Sequence, residues 1–294
     1  MKRCPSQRIC DGSIERPEGK GREDLRSFLE GFYEKFNHRD FVHPDPLEFL
    51  YDYQDPGDRE VVGIVAASLA YGRVAQILSS IQKVLRILGP RPLEFLMEAK
   101  REEILRSLRG FVHRFTRGEE LAEFLVGLRS LLGKWGSLEG ALTFLLHPRD
   151  RTVHPALCGL LKELDLLSGG AASRILASPW MGSGCKRLYL FLRWMVREDE
   201  VDPGGWRKVS PSKLLVPLDV HMHRVGMILG FTRRKQADIL TAMEITEGFR
   251  GICPEDPVKY DFVLTRPGIW RQAERFWYER RRDGIPELEY PHRG

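Results

Sequence analysis

The sequence predicts an all-α protein on three observations. Apolar residues return at intervals of three and four along most of the chain, no alternating apolar–polar segment is long enough for a sheet, and Gly and Pro bound the periodic stretches. With 294 residues and 42% hydrophobic side chains, the chain can bury one large core or two lobes. No heptad run and no internal repeat is present.

Residues 1–22 are rich in Gly, Pro, Arg, Lys and Glu and lack periodic apolar positions, so a flexible tail is expected there. Leu25, Phe28, Leu29, Phe32, Tyr33 and Phe36 then trace a helix that stops before His43-Pro44-Asp45-Pro46. After Gly57-Asp58, Val61 to Ala70 is apolar on nearly every side, the pattern of a central buried helix. Val74, Ile77, Leu78, Ile81, Val84, Leu85 and Leu88 form a clean stripe ended by Gly89-Pro90. The rhythm recurs at Leu121–Leu132, Leu138–Leu146, Val153–Leu167, Ala171–Ala177 and Ala237–Phe249, and Asp256-Pro257 reads as a capped helix start.

Two segments carry chemistry. Gly182-Ser183-Gly184-Cys185-Lys186-Arg187 opens one amphipathic helix, and Pro217-Leu218-Asp219-Val220-His221-Met222-His223-Arg224-Val225 opens another that ends near Gly230. The alternate glycines let a turn approach another molecule closely, and the following helix start presents free N–H groups suited to a phosphate. Lys186 falls in the first helical turn, facing the positive end of the helix dipole, a setting that activates amine nucleophiles. Leu188, Phe191, Leu192 and Met195 give this helix an apolar stripe, and Tyr189, Arg193 and Arg197 an opposite, basic face. The competing reading is an ordinary helix-entry turn with a solvated lysine. Asp219 is a strong N-cap candidate, a role compatible with an oriented catalytic carboxylate.

Together these segments resemble the helix-hairpin-helix superfamily of base-excision DNA glycosylases. That family's hairpin reads Gly-Val-Gly-x-Lys and its second motif Val-Asp-x-His-Val-x-Arg-Val; Gly182, Gly184, Lys186, Asp219, His221, Arg224 and Val225 occupy the matching positions. Departures are Ser183 for the usual aliphatic, Trp180-Met181 for Leu-Pro, and Leu218 and Val220 within the second motif. The polar connection Glu198–Lys213 is longer than in endonuclease III-like members and is similar to the archaeal 8-oxoguanine glycosylase branch. The whole chain also resembles a family of conserved hypothetical proteins.

The superfamily resemblance implies a two-lobed fold with the active site in the cleft: a helical barrel over residues 57–200 ending in the hairpin, and a second lobe of 23–56 plus 201–294. It implies a bifunctional DNA N-glycosylase and abasic-site lyase, with Lys186 attacking the sugar C1′ through a Schiff base and Asp219 assisting. The first expected base is 8-oxoguanine, and the expected partner is duplex DNA containing a damaged base, bound by a monomer. Gly182, Ser183, Gly184, Arg187, Arg193 and Arg224 are the expected DNA contacts. Tyr71 and Arg73, at the end of the buried helix, and Trp206, in the polar connection, are candidates for the base pocket. Trp194 adjoins the apolar stripe and is expected to pack in the core. Two alternatives remain: a non-catalytic DNA-binding protein, favoured if Lys186 lies far from Asp219, and an enzyme acting on RNA or a nucleotide.

A net charge of +5 suits a polyanionic partner, with basic residues gathered in Arg187–Arg197, Arg207-Lys208, Arg233-Arg234-Lys235 and Arg280-Arg281-Arg282. Five cysteines without a C-x-x-C pair speak against a disulfide framework, a zinc site or an iron–sulfur loop, and fit a reducing cytoplasm. No metal or cofactor is expected. Neither a signal peptide nor a membrane span is read.

Overall fold

A computed structural model describes residues 20–176 and 184–266 and shows a predominantly helical chain. Helix α1 (Lys20–Phe36) buries Leu25, Leu29, Phe32 and Phe36, the stripe its spacing predicts. Two short 3-10 helices follow, Arg39–Phe41 and Pro46–Asp52, the second opened by Asp45 in a reciprocal capping box with Glu48. Helix α2 (Pro56–Leu69) begins where the Asp55 carboxylate accepts from the Gly57 and Asp58 N–H groups. All residues from Glu60 to Leu69 are buried, as its apolar circumference predicts.

Helix α3 (Val74–Leu88) stops at Gly89, whose φ of 74° an L side chain rarely adopts. Two one-to-two-turn helices come next, α4 (Pro92–Glu98) and α5 (Arg101–Ser107), too short to show a period in the sequence. The expectation of no sheet needs a small correction. Strands β1 (Val112–His113) and β2 (Thr116–Arg117) pair antiparallel, and two residues each is below what alternation can reveal.

Helices α6 (Gly118–Trp135), α7 (Leu138–Leu145), α8 (His154–Leu167) and α9 (Ala171–Leu176) pack on one another. Helix α10 (Lys186–Val196) lies along α2; then come α11 (Val220–Ile228), α12 (Ile239–Arg250) and α13 (Asp261–Thr265), with α11 touching both of the last two. The expected helix start at Asp256-Pro257 is a turn instead. One Asp256 oxygen accepts from the Val258 N–H and the other from Arg197, so the carboxylate serves a tertiary ion pair and the helix begins only at Asp261.

The buried apolar side chains form one continuous core around α2 and α10. Gly63 permits their close crossing: a Cβ there would meet the Phe191 ring at 3.2 Å. That crossing fixes where α10 starts, and with it Lys186. Among the described residues no helix is long and apolar enough to cross a membrane.

Candidate active site

Lys186 is the first residue of α10, and Asp219 is the N-cap of α11. One Asp219 oxygen, Oδ1, accepts from the main-chain N–H groups of His221 (2.9 Å) and Met222 (2.8 Å). The other, Oδ2, lies 3.0 Å from Lys186 Nζ. Capping therefore aims the second oxygen, and two segments distant in sequence meet as an ion pair. Lys186 is 40% exposed and Asp219 20%, so the pair is open to a ligand on one side.

Two features of this place run against helix stability. A lysine at a helix N-terminus faces the wrong end of the dipole, where an acidic residue is favourable. Cys185, immediately before it, is buried in the left-handed region at φ 43°, ψ 35°, which non-glycine residues rarely occupy and which clusters at functional sites. Gly184 is buried beside the α11–α12 loop: a Cβ there would lie 3.5 Å from the Ala237 carbonyl oxygen and 3.8 Å from Leu218 Cβ, ordinary contacts. The fold thus tolerates a side chain at Gly184, whose open side faces the α11–α12 loop. Gly182 and Ser183 lie outside the described residues, as does Arg280-Arg281-Arg282.

The basic face expected on α10 is corrected. Arg193 and Arg197 are each 4% exposed; Arg193 binds Asp202 and Asp261, and Arg197 binds Asp199, Asp202 and Asp256. Tyr189 is equally buried, its hydroxyl 2.7 Å from His154 Nδ1. Arg193 cannot reach a phosphate, because four acidic residues from following segments fold over that side of the helix. Arg187 is also redirected: its guanidinium donates to the Ser68 carbonyl at 2.8 Å and lies 4.9 Å from the Tyr71 ring centroid. Burial pushes its pKa below the ordinary arginine value. Arg224 is exposed on α11, and Arg233 and Lys235 are exposed on the loop that lies against Gly184.

Tyr71 is half-buried, its hydroxyl donating to the His113 carbonyl (2.9 Å) and meeting Thr116 Oγ1 (2.8 Å). It clamps the β-hairpin to the end of α2. Arg73 is exposed at the N-cap of α3. The hairpin tip carries Phe115, 82% exposed, next to Arg114 at φ 52°. Trp206 is corrected as well: it is 4% exposed, edge-on to Phe191, and donates from Nε1 to Glu60 Oε1 at 2.8 Å. It cannot stack on an extruded base. Trp194 lies in the core.

Sequence reasoning missed three buried carboxyl groups, Glu60, Asp202 and Asp261. Glu60 accepts from Trp206, Leu138 N–H and Glu139 N–H, joining α2 to the start of α7 and to the 198–213 connection. Burial raises its pKa to about 7 against the pull of those donors. Asp202 lies between Arg193 and Arg197, and the signal for Asp261 was a lone acid in the otherwise apolar run Tyr260 to Leu264. Among the described residues no three His, Cys, Asp or Glu side chains are grouped to hold a metal.

The fold and site together define a helical protein that presents an ion-paired lysine at the start of a helix, directly after Gly184-Cys185. The model of a family described as Protein of unknown function (DUF2400) matches residues 45–270, and the chain belongs to that family. No curated protein matches, and no solved structure does.

Proposed function

We propose that the protein is a DNA N-glycosylase with abasic-site lyase activity, using Lys186 as the nucleophile. The observation that carries this reading is the 3.0 Å contact of Lys186 Nζ with Asp219 Oδ2, made by a partly exposed lysine at a helix start. The cap on α11 accounts for one Asp219 oxygen and leaves the other aimed at the lysine, the pairing that a Schiff-base nucleophile and its proton acceptor need.

In the proposed reaction, duplex phosphates lie against the turn before α10 and the exposed Arg224, Arg233 and Lys235, which supply affinity without base identity. The damaged nucleotide leaves the stack. Lys186 passes a proton to Asp219 and its nitrogen forms a bond to C1′ as the glycosidic bond breaks and the base departs with the bonding electrons. The departing base takes a proton from the attacking nitrogen, and Asp219 returns its own proton to O4′ as the C1′–O4′ bond opens. The restored carboxylate, held by its two amides, offsets the positive charge of the iminium left at C1′. Loss of a C2′ proton from that iminium then breaks the C3′–O bond, and the 3′ phosphate departs with the bonding electrons. The two-lobed arrangement belongs to this reading, with Lys186 closing the 57–200 lobe and Asp219 opening the C-terminal part of the other. 8-Oxoguanine is the first substrate to test.

Borohydride trapping on duplexes bearing 8-oxoguanine, an abasic site or uracil tests the assignment. Wild type forms a covalent adduct, Lys186→Gln forms none, and Asp219→Asn forms it far more slowly. An adduct that persists in Lys186→Gln overturns the nucleophile, and salt-sensitive duplex binding without any adduct turns the protein into a binding module.

A further inference from the structure

The lysine chemistry makes no use of the β-hairpin that stands at the end of α2. Strands β1 and β2 are joined by Arg114 and Phe115 alone, because His113 pairs with Thr116. A loop this short favours a left-handed first residue, a place that glycine usually takes. Here it is Arg114 at φ 52°, and its stem runs over Gly72, where a Cβ would lie 2.6 Å from Arg114 Cδ and 2.8 Å from Nη1. An arginine thus stands where the turn favours glycine, and a glycine at φ 107° stands where that arginine needs room. The hairpin is fixed from below. Thr116 N–H donates to the Tyr71 hydroxyl at 3.3 Å, His113 Nδ1 lies 2.9 Å from Ser80 Oγ, and His113 Nε2 lies 3.1 Å from the Tyr71 carbonyl oxygen. Phe115 is held out from this base into solvent rather than against the core.

The charges around the ring are unbalanced. Among the described residues no carboxylate pairs with Arg114 or with Arg73, the neighbour of Gly72, and Arg187 meets only the Ser68 carbonyl and the Tyr71 ring. Acidic side chains neutralise Arg193 and Arg197, whereas no acid among the described residues does so at this corner. Cations gathered at one place repel, and a polyanion relieves that repulsion. The guanidinium carbon of Arg114 lies 5.6 Å from the Phe115 ring centroid, so a bare aromatic face and a free cation point into the same space. That combination suits a nucleic acid, which brings both a flat base and phosphates, better than an acidic peptide, which brings charge without a base.

We propose that the tip formed by Arg114 and Phe115 is a base-stacking site for nucleic acid and that it selects a duplex whose base stack is interrupted. In an intact duplex both faces of every internal base are covered, so Phe115 gains a face only by forcing a step apart, at a cost in unstacking. A missing base or a gap leaves a face bare, and the ring stacks there without that cost. Arg73 and Arg114 meet the flanking phosphates, which hold the strand without naming a base. That the partner is duplex DNA rests on the reading of Lys186 given above; the stacking itself needs no reaction at the lysine.

The test is fluorescence anisotropy with three labelled duplexes: an intact one, one with a single-nucleotide gap, and one with a tetrahydrofuran abasic analogue, which offers the lysine no aldehyde. Wild type binds the two interrupted duplexes about tenfold more tightly than the intact one, the gain expected of one base stacked on an aromatic ring. Phe115→Ala binds all three alike. Arg114→Gly, which suits the turn, weakens all three together, because a phosphate contact carries no base information. The melting temperature of Phe115→Ala stays that of wild type because the ring is exposed, so its lost preference reports binding rather than folding. A preference that survives in Phe115→Ala, or that wild type lacks, overturns the proposal, and a wild type that binds no duplex gives the tip to a protein partner instead. The preference present in both wild type and Lys186→Gln, without a borohydride adduct in either, removes the glycosylase reading and leaves the stacking site. An adduct without the preference does the reverse.

Discussion

The two ends of α10 hold basic side chains in opposite circumstances. At its start Lys186 is 40% exposed and meets one carboxylate; about two turns on, Arg193 is 4% exposed and meets two. The same kind of charge is therefore open to solvent at one end and a buried structural pin at the other. The difference lies in what is brought to each end. Asp202, Asp256 and Asp261 close over the far end, whereas among the described residues only Asp219, committed to its own helix cap, pairs with the lysine at the near one.

Breaking the far end has the largest expected effect. Arg193→Met leaves Asp202 and Asp261 buried without that partner, costing about 3–5 kcal/mol, read as a fall in the urea midpoint. An unchanged midpoint would show the network to be dispensable. Glu60→Gln comes next: an amide replaces one acceptor that three donors use, costing about 1–3 kcal/mol. Its pH dependence has a definite sign. Glu60 is raised on folding, so its contribution is present below pH 4.5 and is lost as pH rises through about 7. Wild-type stability relative to the Gln variant therefore declines across that window, and a difference that is flat from acid to neutral contradicts the assignment. Gly63→Ala crowds the Phe191 ring and costs about 1–3 kcal/mol, seen as a lower melting temperature. Lys186→Gln has the smallest effect, within about 0.5 kcal/mol, because the pair is solvent-exposed. A large loss of stability there would make the near end structural like the far one.

The helices, the Asp219 cap, the Gly89 stop and the start of α10 were legible because local periodicity and capping determine them. The meeting of Lys186 with Asp219 followed from the paired motifs rather than from either alone. What was not legible depends on partners remote in sequence. A helical wheel places Arg193 and Arg197 opposite the apolar stripe, but it does not show the aspartates that bury them. Trp206 sits among polar neighbours, and only the fold brings Glu60 to its indole N–H. Helices α4 and α5 and the β-hairpin are shorter than the periods that would reveal them.

Arg187 carries a last consequence. It fastens the first turn of α10 to the Ser68 carbonyl and the Tyr71 ring, and Tyr71 in turn holds the hairpin that carries Phe115. Lys186 and the hairpin tip thus share one frame, linked by a main-chain carbonyl and a ring face rather than by exposed ion pairs. A group seated against Phe115 would stand at a set offset from the lysine amine, and salt, which screens exposed charges, leaves that offset unchanged.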